Sequence, residues 1–293
     1  MTATRSSRPA REPGRLYAMT AIHVRGLRKT YGTFSAVDGL DLTVETGEIF
    51  ALLGPNGAGK TTTVEILEGH RRRTAGEVSV LGTDPGRADR HWRARIGIVL
   101  QSTSDAADLT VHETVRHLAG FYPRPRLPAE VIELVGLTDK AKARVRTLSG
   151  GQRRRLDVAL GIVGRPDIVF LDEPTTGFDP EARRQFWELI RKLSGEGTTI
   201  LLTTHYLDEA EALADRLAVI AAGAIVAEGT PATLGGRATA QARVTWSGGR
   251  SEHTADPAAL IVRLASEGAD LSDLTVTRPT LEDTYLALIG ERG

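Results

Sequence analysis

A chain of 293 residues that is 41% hydrophobic can bury one large core, or one core and a small appendage. Its 37 Lys and Arg offset its 37 Asp and Glu, so the overall charge gives no reason to expect a nucleic-acid partner. The lack of cysteine excludes a disulfide framework and a thiolate metal site.

The start, "MTATRSSRPAREPGRL", has no apolar signal core, and residues 1–19 read as a disordered tail. From Thr20, "IHVRGLRKTY" and "LDLTVETGEIFALLG" alternate apolar and polar residues before a buried run at residues 49–53. "KTTTVEILEG" then reads as a helix, and "GEVSVLG" and "RIGIVLQ" read as strands. Residues 109–136 form a mostly helical insertion broken by Pro123, Pro125 and Pro128. A helix over residues 153–163 follows "LSGGQ". After it come the apolar strand "DIVFLD", a helix over 181–193 and the strand "TTILLTTH". Strands buried on both faces and alternating with helices predict a parallel sheet in an α/β core, with an antiparallel part made by the early alternating strands.

The longest nearly uncharged apolar run, residues 217–227, is shorter than the ~20 residues of a membrane span. The chain is therefore expected neither to be secreted nor to cross a membrane by itself. Residues 236–293 change texture and predict a small α+β extension, with "SGGRSEH" as a turn followed by a helix, a strand and a last helix. Thr280 with Asp283 resembles a capping box for that last helix. The arginine clusters at residues 71–73 and 153–155 read as solvated faces or partner contacts.

"GPNGAGKT", Gly54 to Thr61, lies between a hydrophobic strand and a helix, the context a phosphate-binding loop requires. Gly57 and Gly59 let backbone N–H groups wrap β- and γ-phosphates, and the helix start adds positive potential. Lys60 offsets phosphate charge, and the Thr61 hydroxyl suits Mg²⁺. Pro55, Asn56, Ala58 and Thr62 complete the candidate cradle. Asp172, ending "IVFLD", stands where ligands bind in α/β sheets and is the candidate to hold Mg²⁺. Glu173, pointing to the other side of the strand, is the candidate to polarise a water. A glycine turn and acidic strand-end caps are the plainer alternatives.

A phosphate loop followed by "LSGGQ" and "FLDEP" resembles the ATP-binding subunit of ABC transporters, over about residues 21–233. The resemblance implies an ATPase with a RecA-like parallel-sheet lobe, an antiparallel β subdomain and a helical subdomain at about 102–148, together making a nucleotide-binding domain at 20–235. It implies ATP and Mg²⁺ as cofactors and a head-to-tail dimer in which Ser149, Gly150, Gly151 and Gln152 face the nucleotide of the other copy. Ser149 as a simple N-cap is the alternative. By the same resemblance Tyr31 stacks on adenine, Gln101 contacts Mg²⁺ or the water, His205 holds the γ-phosphate, and Asp179 communicates between the two sites. Phe178 stands where the family more often has leucine.

"TTGFDPEARRQFWELIRKL", "HYLDEAEALADR" and "TLEDTYLALIG" are similar to the bacterial drug-export branch typified by the daunorubicin resistance ATPase. That similarity implies a separate transmembrane permease, peripheral attachment to the cytoplasmic membrane face, and a pair made of two copies or of this chain with another ABC ATPase. A soluble ABC ATPase working on ribosomes or nucleic acid is the competing reading. Such proteins usually carry two cassettes or long coiled coils, which this chain does not show. No nucleic-acid partner is expected.

Overall fold

The structure, a computed structural model, describes residues 20–99 and 108–290. The 1–19 tail, Gln101 and the first residues of the helical insertion lie outside the described residues.

β1 (Thr20–Tyr31) and β2 (Phe34–Glu45) form an antiparallel hairpin. Gly32 supplies the left-handed backbone its two-residue turn needs, at φ 58. β3 (Ile49–Leu53) leads through the glycine loop to α1 (Lys60–Leu67). β4 (Ala75–Val80) then pairs with the free edge of β1, giving the sheet order β2-β1-β4. After α2 (Arg90–Arg93) and β5 (Ile96–Val99), the helical insertion contributes α3 (Val111–Ala119) and α4 (Pro128–Leu134). Thr110 and Glu113 close a reciprocal capping box on α3, and Pro128 is tolerated at the first turn of α4, where its missing N–H costs nothing.

α5 (Gly150–Ile162) begins three residues before the helix read from the sequence, because Ser149 caps it directly. β6 (Ile168–Asp172), α6 (Pro180–Gly195), β7 (Thr199–Thr204), α7 (Leu207–Leu213), β8 (Arg216–Ala221) and β9 (Ala224–Gly229) complete the lobe. The apolar run at 217–227 is thus a hairpin. The six-stranded sheet has the order β5-β6-β7-β3-β8-β9, parallel except for β9.

Period-two alternation divides this sheet between two cores. Phe50, Leu52, Phe170 and Leu201 face the antiparallel sheet and α1, while Ala51, Leu53, Leu171 and Leu202 face α5, α6 and the insertion. All eight are essentially inaccessible, and each large side chain contributes roughly 1.5–3 kcal/mol by burial. This explains why β3 reads as an unbroken apolar run and the centre of β7, Ile200 to Leu202, as a short one.

Beyond residue 235, β10 (Ala242–Trp246), β11 (Arg250–Thr254) and β12 (Thr275–Thr277) form a sheet of order β11-β10-β12. α8 (Pro257–Ser266) covers it through Val244, Trp246, Leu260 and Leu264. The expected turn at "SGGRSEH" is confined to residues 247–249, and residues 250–254 are a strand. That strand is exposed along most of its length and polar, so it carries no apolar alternation to announce it. α9 (Leu281–Gly290) is capped by Thr280 and Asp283 as expected. It returns to the main body, where Leu281, Tyr285, Leu288 and Ile289 join the core with Leu213, Leu217 and Leu234.

Candidate functional site

The glycines of the loop after β3 answer to specific contacts. A Cβ on Gly54 would run into the Ile220 carbonyl, and one on Gly59 would stand 2.5 Å from the Ala36 carbonyl. Gly57 and Gly59 take φ values of 80 and 108, which side chains rarely adopt. Pro55, Asn56 and Gly57 are exposed at the loop tip, while Ala58 is buried. No side chain caps α1, so its first-turn N–H groups are not taken up by a capping side chain, as an anion site at a helix start requires. Lys60 is buried and donates to the carbonyls of Gly54 at 2.6 Å and Pro55 at 3.1 Å. Burial pulls its pKa down, and the negative charges of Glu173 and then Asp172 oppose that shift. Thr61 is exposed and Thr62 half-buried at the same helix start.

The order β6-β7-β3 sets the carboxylates beside this loop, at the C-terminal ends of parallel strands. Thr203 on β7 donates to Asp172 Oδ1 at 2.5 Å and fixes that carboxyl. Glu173 does not continue the strand. Its φ of 45 places it in the left-handed region, and its N–H donates to the Thr203 carbonyl at 3.0 Å. Strand alternation therefore does not set its direction as the sequence reading assumed, and both carboxylates act on Lys60. A left-handed glutamate costs on the order of 1–3 kcal/mol, a strain typical of functional positions. His205 Nδ1 lies 3.2 Å from Glu173 Oε1. Lys60, Asp172, Glu173 and His205 are thus brought together.

Ser149 is the N-cap of α5: its Oγ accepts from Gln152 N at 3.3 Å, and Gln152 Oε1 accepts from Ser149 N at 3.1 Å. The cap uses an acceptor site on the hydroxyl and leaves its proton available. Ser149 and Gly150 are exposed, and a Cβ at Gly150 would meet open space. Among the described residues, neither Ser149 nor Gln152 bonds to the loop 54–61 of its own chain. Asp179 caps α6, accepting from Ala182 N at 2.8 Å. Phe178 is buried edge-on to Phe186 and reaches to 4.0 Å from where a Cβ on Gly151 would stand, so the larger ring is accommodated beside α5. Tyr31, at the exposed end of β1, accepts from Arg71 Nη1 at 2.5 Å, with Lys29 Nζ 4.8 Å from its ring centre.

The arginines of the two clusters do not behave alike: Arg72 is exposed, whereas others are held within the chain. Arg154 is buried and donates to the Asp172 carbonyl at 2.6 Å and the Pro174 carbonyl at 3.1 Å, because the helical period turns the middle of three arginines toward β6. Arg71 pairs with Glu65, and Arg73 makes two 2.8 Å bonds to Asp84. Sequence reasoning missed Arg154 and Thr203. The only signal for Arg154 was its place one turn after a helix start.

The ABC transporter family profile matches residues 37–176. The daunorubicin resistance ATP-binding protein DrrA3 of Streptomyces coeruleorubidus is 37% identical over 94% of this chain and 97% of that protein. The chain belongs to the ATP-binding proteins of ABC transporters. This ABC ATPase is also 46% identical, over 73% of its length and 68% of the relative, to the Nod factor export ATP-binding protein I of Ralstonia nicotianae. A solved dimeric ATP-binding cassette, in a post-hydrolysis state bound to ADP and phosphate, matches at 25% identity and TM-score 0.65 over 71% of this chain and 98% of that one. As an ABC ATPase the chain hydrolyses ATP. Among the described residues, no helix is long and apolar enough to cross a membrane.

Proposed function

We propose that this ATPase is the energy-coupling subunit of an exporter of drug-like or hydrophobic compounds. It acts as a head-to-tail dimer with ATP between the copies and drives a separate membrane permease from the cytoplasmic face. The observation that carries this reading is the division of the candidate nucleotide-site groups between two places on the chain. Lys60, Asp172, Glu173 and His205 gather at the C-terminal ends of the parallel strands, whereas the capped start of α5 is exposed at Ser149 and Gly150, half-buried at Gly151, and makes no bond to the loop 54–61. A second copy in head-to-tail orientation supplies that helix start to the first copy's nucleotide, and the reverse. The complete motif set in one chain favours two identical copies over a pair with a different ATPase. Export is supported by what these relatives are named for, daunorubicin resistance and Nod factor export.

In this scheme Lys60 exchanges its two carbonyl partners for phosphate oxygens, and the loop N–H groups hold the β- and γ-phosphates. Glu173 orients the attacking water and takes its proton. His205, already on Glu173, holds the γ-phosphate. Tyr31 stacks on the adenine, and Asp179 links the two sites. Thr61 and Asp172 would hold Mg²⁺, with Gln101 assigned to the same task from the sequence. A hydroxyl and a carboxylate, with no cluster of three acidic or histidine ligands among the described residues, fit an ion that takes its other ligands from phosphate and water. When bound, Mg²⁺ offsets charge on the transferring phosphoryl group.

The permease would dock on the helical insertion, where Leu109 before α3 and Phe121 after it are exposed. Arg71, Arg73, Arg154 and Arg155 are engaged within the chain, which supports a reading without nucleic acid. The test is recovery of the Glu173→Gln protein with ATP from detergent-solubilised membranes of its own cells. A stoichiometric multi-span protein supports the exporter reading. Ribosomes or nucleic acid without a membrane protein would overturn it.

A further inference from the structure

Behind His205 lies a buried acid that none of the steps above uses. Glu209, on α7, has no accessible surface. Its carboxyl faces the Thr204 hydroxyl at the end of β7, the Thr175 hydroxyl just after Glu173, and the Trp187 indole and Arg183 guanidinium of α6. Burial pushes its pKa up against the pull of those donors. Thr204 Oγ1 accepts from Tyr206 N at 3.0 Å, which leaves its proton for the carboxyl. The cluster is loosely closed: both Glu209 oxygens, Thr175 Oγ1, Trp187 Nε1 and Arg183 Nε are buried without a hydrogen bond of full geometry.

A merely structural position has little use for such a group, since well-packed apolar side chains commonly replace buried charged networks without loss of stability. What the group does here is join two segments that leave the same sheet edge. One is Thr204, His205 and Tyr206; the other runs from Glu173 through Thr175 to the helix-capping Asp179. A surface bridge ties the same segments, with Arg183 Nη1 3.0 Å from Asp208 Oδ2 and its guanidinium 4.6 Å from the Tyr206 ring centre.

We propose that Glu209 is a positioning residue for ATP hydrolysis, gathering Thr204 and Thr175 so that His205 stays on Glu173 and Asp179 keeps its place at the start of α6. Glu173 and His205 carry the roles proposed above, and Glu209 acts through them without touching nucleotide. Displacement of a catalytic group by about 1 Å costs on the order of a hundredfold in rate.

The experiment compares full-length Glu209→Gln, Glu209→Met and the near-isosteric Thr175→Val with the parent, measuring ATP affinity, kcat, KM and melting temperature. The expected result is a fall in kcat of about tenfold or more for Glu209→Met and Thr175→Val, with ATP affinity and KM within about twofold and rescue by Glu209→Gln to within about threefold. Parent kcat in a folded Glu209→Met protein would overturn the proposal. So would parent kcat in Thr175→Val, which keeps the test decisive if Glu209→Met does not fold. Glu173→Gln is measured alongside: hydrolysis at the parent rate there would remove the role of Glu173 and leave the Glu209 comparison separately readable.

Discussion

The guanidinium of Arg154 donates to the carbonyl oxygen of Asp172 at 2.6 Å, joining the helix that begins at Ser149 to the strand that carries the candidate Mg²⁺ carboxylate. A second bond, to the Pro174 carbonyl, holds the turn in which Glu173 takes its left-handed backbone. Burial lowers the pKa of Arg154, opposed by the charges of Asp157, Asp172, Glu209 and Glu173.

Arg154→Leu leaves two buried carbonyls without their donor, so urea unfolding is expected to show a loss on the order of 2–4 kcal/mol. Hydrolysis should fall with it, since both carboxylates hang on that backbone. An unchanged midpoint would show that other donors reach these carbonyls.

Glu173→Gln keeps the size and the turn of the side chain but removes the base. The expected result is a drop in kcat of about a hundredfold or more with ATP affinity retained, checked by phosphate release and nucleotide binding. Hydrolysis at the parent rate would remove Glu173 from its role.

Gly59→Ala and Gly57→Ala separate contact from conformation. Both positions have positive φ, but only at Gly59 would the added methyl meet backbone, 2.5 Å from the Ala36 carbonyl, whereas at Gly57 nothing stands within 4 Å. Gly57→Ala is expected to cost about 1–2 kcal/mol of strain. Gly59→Ala should in addition displace the loop and lower ATP affinity by at least about tenfold, read by titration with a nucleotide analogue.

Glu68, at the end of α1, has its pKa pushed up to about 8, first by burial and then by the charges of Asp172 and Glu65. Its folded pKa lies above the unfolded one, so the unfolded state ionises first as pH rises. Stability is therefore lost progressively between about pH 4.5 and 8. Glu68→Gln, which cannot ionise, should match the parent near pH 4 and exceed it by on the order of 4 kcal/mol near pH 8, measured by denaturant unfolding at both pH values. Equal pH profiles would contradict this.

The main sheet was legible because strands buried on both faces carry apolar runs: all of β3, β6 up to Asp172, and the centre of β7 from Ile200 to Leu202. The phosphate loop was legible because its glycines answer to local demands that other residues meet badly, backbone contact at Gly54 and Gly59 and positive φ at Gly57 and Gly59. Arg154 was hidden because three adjacent arginines look alike until the helix phase is fixed by the Ser149 cap. The geometry of Glu173 was hidden because strand alternation says nothing about a residue that leaves the strand. The β10–β11 hairpin went unread because Arg250, Ser251, Glu252 and His253 carry no apolar face. The return of α9 to the main body depends on a surface formed by residues far away in sequence, Leu213 and Leu217, which local texture does not reveal.

The central claim is that the Ser149 end of α5 completes the nucleotide site of a second copy. The most direct test is the solution mass, by light scattering, of the Glu173→Gln protein with and without ATP, repeated with Ser149→Arg added. The account predicts a monomer without ATP, a dimer with ATP, and a monomer that still binds ATP once Ser149 is replaced. A dimer that forms with ATP regardless of Ser149→Arg, or an ATP-loaded protein that stays monomeric with Ser149 intact, would contradict it.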